Sequence, residues 1–91
     1  MKLTWPWRKK RGMFTLQPQW KEMMIVTGPG GSFTLDFPMG IPTVVLPDEE
    51  RWQHVAPDWA RDHWRELKAE IQDWCRSNNA RLEIDPKAGV Y

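Results

Sequence analysis

The stretch ARDHWRELKAEIQDW, residues 60–74, decides the fold of this chain. Its apolar side chains recur at spacings of 4, 3, 4 and 3, which is the period of one face of an α-helix. These residues are Ala60, Trp64, Leu67, Ile71 and Trp74, and the acidic residues Asp62, Glu66, Glu70 and Asp73 lie off their arc. The pattern predicts an amphipathic helix of about five turns that buries one side.

Both ends of this helix are marked in the sequence. Pro57 and Asp58 suit a helix start, because proline is tolerated there and a carboxylate complements the helix dipole. Ser77-Asn78-Asn79 suits its end, because asparagine tolerates the left-handed conformation of a C-terminal cap. Upstream of Pro57, residues 48–55 are compatible with either a short helix or an ordered loop.

Strand signals surround the helix. Phe33, Leu35 and Phe37 alternate with polar residues, which predicts a half-buried strand. Three further strands are predicted at residues 21–27, 43–46 and 81–85, and the continuous apolar run of residues 43–46 indicates a strand covered on both faces. Residues 12–16 repeat the Gly-x-Phe-Thr-Leu pattern of residues 31–35. We expect an α+β domain over residues 13–91, with a small antiparallel sheet of three to four strands, one long amphipathic helix packed on it, and a C-terminal strand.

The glycine cluster Gly28-Pro29-Gly30-Gly31 has two interpretations. A phosphate-binding loop would place its glycines before a helix, where free amides point at the anion. Here the glycines lie between two predicted strands, so the sequence favours a hairpin turn.

Composition and charge limit the function. Hydrophobic residues make up 41% and charged residues 27%, which predicts a folded chain. The single cysteine, Cys75, excludes an internal disulfide and favours the cytoplasm. No apolar run approaches the roughly 20 residues that span a bilayer, and the N-terminal segment lacks the pattern of a secretory signal.

The charge is divided between two regions. Residues 1–11 carry five basic side chains and no acid, whereas residues 12–91 carry 8 basic and 12 acidic side chains, a formal −4. Proteins that read DNA grooves normally carry positive charge across the folded surface that contacts DNA, and a mildly acidic domain does not fit this pattern. A nucleic-acid function would therefore depend on the N-terminal segment.

That segment contains the run Trp5-Pro6-Trp7-Arg8-Lys9-Lys10-Arg11. It resembles the short tryptophan-rich, cationic host-defence peptides that lie at membrane interfaces, and this resemblance implies weak contact with a membrane surface. The same side chains could bind nucleic acid, with cations on phosphates and indoles on bases, or dock on a protein, or form a plain tail. We expect residues 1–12 to form a flexible basic arm.

Seven tryptophans are unusual in 91 residues. Trp64 and Trp74 belong to the helical arc. Trp20, Trp52 and Trp59 have no place on it, and two interpretations stay open for them: a protein-binding patch of exposed indoles, or caps at the ends of a small core.

The spacing of the candidate residues gives little support for a catalytic site or a metal site. The conceivable metal ligands are His54, His63, Asp58, Asp62 and Cys75, and their spacing does not bring them together on a helix. Asp62 and His63 are adjacent and point apart, so they form no dyad. We expect no cofactor, no metal and no enzymatic activity.

The sequence therefore favours a non-enzymatic accessory module that binds a macromolecular partner, with protein ahead of nucleic acid. Inhibitor and immunity proteins of bacteria and phage share its size class and lack of catalytic apparatus. The alternative is a nucleic-acid-associated protein that uses the basic arm, and a minor enzyme or ligand binder ranks third.

Overall fold

The computed structural model describes residues 13–19 and 21–91, which contain one five-stranded sheet. The strands lie in chain order, and they are β1 (Thr15–Gln19), β2 (Met23–Gly28), β3 (Gly31–Asp36), β4 (Thr43–Pro47) and β5 (Arg81–Asp85). The first four are antiparallel neighbours, and β5 runs parallel to β4. The predicted α+β fold is confirmed, and the C-terminal strand joins the same sheet as the four antiparallel strands.

The helices form the crossover between the parallel strands β4 and β5. They are α1 (Glu49–Val55), a 3₁₀ segment (Asp58–His63) and α2 (Trp64–Asn78). Asp48 caps α1 by accepting a hydrogen bond from Arg51 N at 2.7 Å. Asn79 ends α2 in the left-handed conformation, at φ 57° and ψ 42°, as predicted. The predicted long helix therefore begins with 3₁₀ turns after Pro57 and continues as α2.

The helical side of the sheet contains the core. Met24 pairs with Leu35 and Val26 with Phe33, and these side chains are buried together with Leu67 and Ile71 of α2. Ala60 and Cys75 are buried as well, while Trp64 and Trp74 are half-buried at the margins. The predicted buried arc of the helix is confirmed.

The glycine cluster forms the β2–β3 hairpin, as predicted. Gly28 and Gly31 are its last paired residues, and Gly31 has φ 146°, a conformation that favours glycine. A Cβ atom at Gly28 would lie 2.5 Å from Cζ3 of Trp59, and one at Gly30 would collide with the same indole. The turn therefore needs glycine partly because Trp59 packs directly on it.

Strand β4 is covered on both faces, which confirms the prediction from its apolar run. Val44 and Leu46 are fully buried on the helical side, and Val45 is 9% exposed on the other. The C-terminal tail crosses nearby, because Arg51 Nε donates to Ala88 O at 3.1 Å and Tyr91 N donates to Thr34 O at 3.0 Å. In residues 13–19 and 21–91, none of the helices is long and apolar enough to cross a membrane.

Candidate protein-binding surface

Trp52 does not lie on a surface. Its side chain is fully buried, its Nε1 donates to Ala60 O at 3.1 Å, and its ring centroid lies 5.6 Å from that of Phe33. A side chain without accessible area cannot contact a partner, so the exposed-patch interpretation is wrong for Trp52. Its core-cap alternative holds, with the indole N–H satisfied by a buried carbonyl.

Trp59 closes one end of the same core. The half-buried indole lies 6.1 Å from the ring of Phe14 and 5.9 Å from that of Phe33, between centroids, and it covers the hairpin glycines. These contacts account for its position without a partner. The third residue of the predicted patch, Trp20, lies outside the described residues, and so do Trp5, Trp7, Arg8, Lys9, Lys10 and Arg11 of the arm; their roles stay predictions.

The other side of the sheet is a more extensive candidate, and we call it the open face. Strand pairing brings Met23, Asp36, Val45 and Glu83 into one row across β2 to β5, and Ile25 and Thr34 into the next. These positions alternate with the core residues and therefore point away from the helices. In the part of the chain that the structure describes, all helices pack on the opposite side.

Two adjoining grooves lie on the open face. The first, about 410 Å³, is here called the apolar groove and is lined by Gln19, Lys21, Met23, Ile25 and Thr34. The second, about 360 Å³, is here called the acidic groove and is lined by Glu22, Asp36, Pro38, Val45, Glu83 and Asp85. Because Met23 pairs with Asp36, the two grooves are neighbours across the β2–β3 boundary.

The described residues that line the acidic groove include four acids and neither Lys nor Arg. Three ion pairs lie on the helical side of the sheet. They join Arg61 to Asp58, Arg65 to Glu49, and Arg76 to Asp73. Three of the groove carboxylates have contacts: Glu22 Oε2 accepts from Met39 N at 3.3 Å, Asp85 Oδ1 accepts from Lys87 N at 2.8 Å, and Tyr91 Oη lies 3.5 Å from Asp36 Oδ2. Four carboxylates thus line this groove.

The β3–β4 loop adds apolar area beside the acidic groove. Met39 is 46% exposed and Ile41 is 58% exposed, and Pro38 connects them to the groove wall. Glu22, at φ 62°, holds this loop through its bond to Met39 N. The sequence Pro-Met-Gly-Ile-Pro contained the signal, since apolar side chains in a turn-rich segment between strands have no core to enter.

Glu70 is a second feature that the sequence did not reveal. Its Oε2 accepts from Met13 N and its Oε1 from Phe14 N, both at 2.8 Å. This carboxylate, which lies off the buried arc, fixes the chain just before β1 against α2. Met13 and Phe14 therefore lie on the helical side of the sheet.

Two further reactive groups of the described chain, His63 and Cys75, lie away from the open face. His63 Nδ1 lies 3.5 Å from Glu66 Oε1 at an accessible position, and residues 13–19 and 21–91 contain no group of three His, Cys, Asp or Glu suited to a metal ion. The Cys75 thiol donates to Arg81 O at 3.2 Å, and burial raises its pKa above the ordinary value. This thiol is therefore protonated and unreactive at neutral pH.

No protein-family model, curated protein or solved structure matches this chain. The functional inference therefore depends on the described surface alone.

Proposed function

We propose that this protein is a non-enzymatic accessory module that binds another protein through the open face. The observation that carries the proposal is the combination of exposed apolar side chains, Met39 and Ile41, with the two grooves on a sheet face that no described helix covers. Contiguous apolar area bordered by polar groups is typical of protein-interaction sites.

The chemistry of the face selects the kind of partner. The acidic groove attracts Lys and Arg side chains, and charge complementarity of this kind speeds encounter and rejects acidic partners. The neighbouring apolar groove, with Met23 and Ile25, suits an aromatic or aliphatic side chain. The partner segment is therefore basic and carries large apolar residues.

The same surface argues against the nucleic-acid alternative as the main function. The carboxylates of Glu22, Asp36, Glu83 and Asp85 would repel phosphates, and residues 13–91 carry a formal −4. A nucleic-acid function thus depends on arm residues outside the described range. We place the protein in the cytoplasm, because a single buried thiol needs no oxidising compartment.

Selection of ligands from a random peptide library on the full-length chain tests this function. The selected peptides should be rich in Lys, Arg and aromatic residues. Their affinity should fall at least about tenfold with Glu83→Lys and with Ile25→Asp, on the scale of an interface hot spot. The charge-matched control Glu50→Lys, on α1 at the other side of the sheet, should bind like the original chain.

Peptides of another composition, or binding that survives both open-face substitutions, would contradict the proposal. Circular dichroism of each variant checks that the fold is retained. Glu83 is exposed and Ile25 is half-buried on the solvent side, so both substitutions leave the core intact.

A further inference from the structure

The open face has a chemically matched occupant within the protein's own sequence. Trp5-Pro6-Trp7 is followed directly by the four cations of residues 8–11, and residues 1–11 contain no acid. We propose that the open face of one copy of the chain binds the segment Trp5–Arg11 of a second copy. This inference rests on the proposed function, since it names the occupant of the same face.

In the segment Trp5–Arg11 the indoles precede the cations, and across the sheet the apolar groove precedes the acidic groove. The apolar groove lies over β1 to β3 and the acidic groove over β3 to β5. A segment crossing the strands would place its indoles over Met23 and Ile25. Its cations would then reach Asp36 and Glu83.

The spacing also agrees. Ile25 on β2 and Val45 on β4 lie on strands two apart, which corresponds to about 10 Å across the sheet. From Pro6 to the middle of the cationic run is three to four residues, or about 11 Å in an extended chain. An extended segment therefore covers both grooves without compression.

The attachment of the arm shows why the occupant comes from a second copy. Glu70 fixes Met13 and Phe14 on the helical side, beside the edge strand β1. Arg11 is two residues earlier, within about 7 Å of Met13. The acidic groove is centred near β4, three strand spacings or about 14 Å from β1, and on the opposite side of the sheet.

In its own chain the order of the segment would thus be reversed. The cations nearest Met13 would have to reach the farther groove, while the more distant indoles would have to occupy the nearer one. A second copy has no such restriction. If each copy gives its arm to the other, the contact closes into a two-fold dimer in which each subunit completes the other's site.

Sedimentation velocity of the full-length chain tests the inference. At low ionic strength and about 100 μM protein, the mass should rise from 10.8 kDa towards twice that value. It should return to the monomer value at about 1 M salt, where exposed charges are screened. Glu83→Lys should weaken association at least about tenfold, and so should an arm variant with Arg8, Lys9, Lys10 and Arg11 all changed to Glu.

A mixture of the two variants provides the decisive measurement. Each alone lacks one half of the contact, but together they contain one intact arm and one intact open face. We expect the mixture to form a heterodimer through that single contact. Circular dichroism should show that both variants keep the fold, since neither changes a core residue.

Three outcomes overturn the inference: a monomer at low salt, an arm variant that associates as strongly as the original chain, or a mixture that stays monomeric. Binding of a single-stranded oligonucleotide by a chain that stays monomeric would assign the arm to nucleic acid instead. The two proposals fail separately. Selected peptides that bind the open face of a monomeric chain retain the function and remove this occupant, whereas self-association without peptide ligands does the reverse.

Discussion

The two faces of the sheet differ in burial, although neighbouring residues of the same strands form them. Met24 and Val26 are fully buried under the helices, whereas Met23 and Ile25, one position away, are half-buried on the open face. Strand alternation assigns residues to two sides, but one layer of helices covers only one of them. The difference shows that burial, and with it stability, is concentrated on the helical side.

Chain length explains why the described residues form a helical layer on one side of the sheet and not on both. A domain of 91 residues supports one modest core, and an antiparallel sheet can expose its other face to water. Tyr91 reaches that face, where its Oη lies 3.5 Å from Asp36 Oδ2. On the rest of this face, the two grooves are open to solvent.

The largest expected effect tests the helical side directly. Leu67 is fully buried, so Leu67→Asp places an unpaired charge in the core and should unfold the domain. Glu66→Ala, one residue away and exposed, should change the free energy of unfolding by about 0.5 kcal/mol or less. Urea titrations of both variants make the measurement, and equal small effects would refute the helix register.

Trp52 should show the next largest effect. Trp52→Ala removes a fully buried indole and should cost about 3–5 kcal/mol, by loss of packing and an unfilled cavity. Ile25→Ala on the open face should cost about 1 kcal/mol. Thermal melts compare the two, and a Trp52→Ala chain as stable as the Ile25→Ala chain would place Trp52 outside the core.

These residues also show what the sequence could predict. The arc from Trp64 to Trp74 was predictable because it lies in α2, which extends over enough turns for a period to be measured. Trp52 lies on a seven-residue helix, too short for a period, and Trp59 lies in a 3₁₀ segment, where the 100° rotation per residue fails. Their burial depends on Phe33 and the hairpin, which are distant in sequence.

The open face was only half predictable. Alternation in residues 31–37 indicated a strand with one buried side, but the apolar run Met23-Met24-Ile25-Val26 did not show which side the helices cover. The acidic groove assembles carboxylates from the turn before β2, from β3 and from β5. Such a cluster follows from strand order, which single-sequence periodicity does not provide.

The contact between Trp59 and the hairpin gives the next prediction. Gly28→Ala should destabilise the domain by about 1–3 kcal/mol, because its new Cβ displaces the indole. In a Trp59→Ala background the same change should cost clearly less. Denaturant titrations of the four chains form a double-mutant cycle, and additive effects would mean that Trp59 does not restrict the turn.

Glu70 gives a smaller, local effect. Glu70→Ala removes the acceptor of Met13 N and Phe14 N and should cost about 1.5 kcal/mol, since water replaces part of the loss at this half-buried position. Glu70→Gln, which keeps one acceptor oxygen, should lose less. Hydrogen exchange should accelerate at the amides of residues 13 and 14 first, and unchanged protection there would contradict the contact.

The smallest effect concerns Cys75 and depends on pH. Burial raises the pKa of this thiol in the folded state, so the folded chain keeps the proton at pH values where the unfolded chain has lost it. The contribution to stability is therefore complete below the unfolded pKa of about 8.5 and is lost as pH rises above it. Between about pH 8 and pH 10, the free energy of unfolding should fall more steeply for the original chain than for Cys75→Ala. Parallel curves would mean that the thiol has the same pKa in both states, and that the hydrogen bond to Arg81 O and the surrounding core do not protect it.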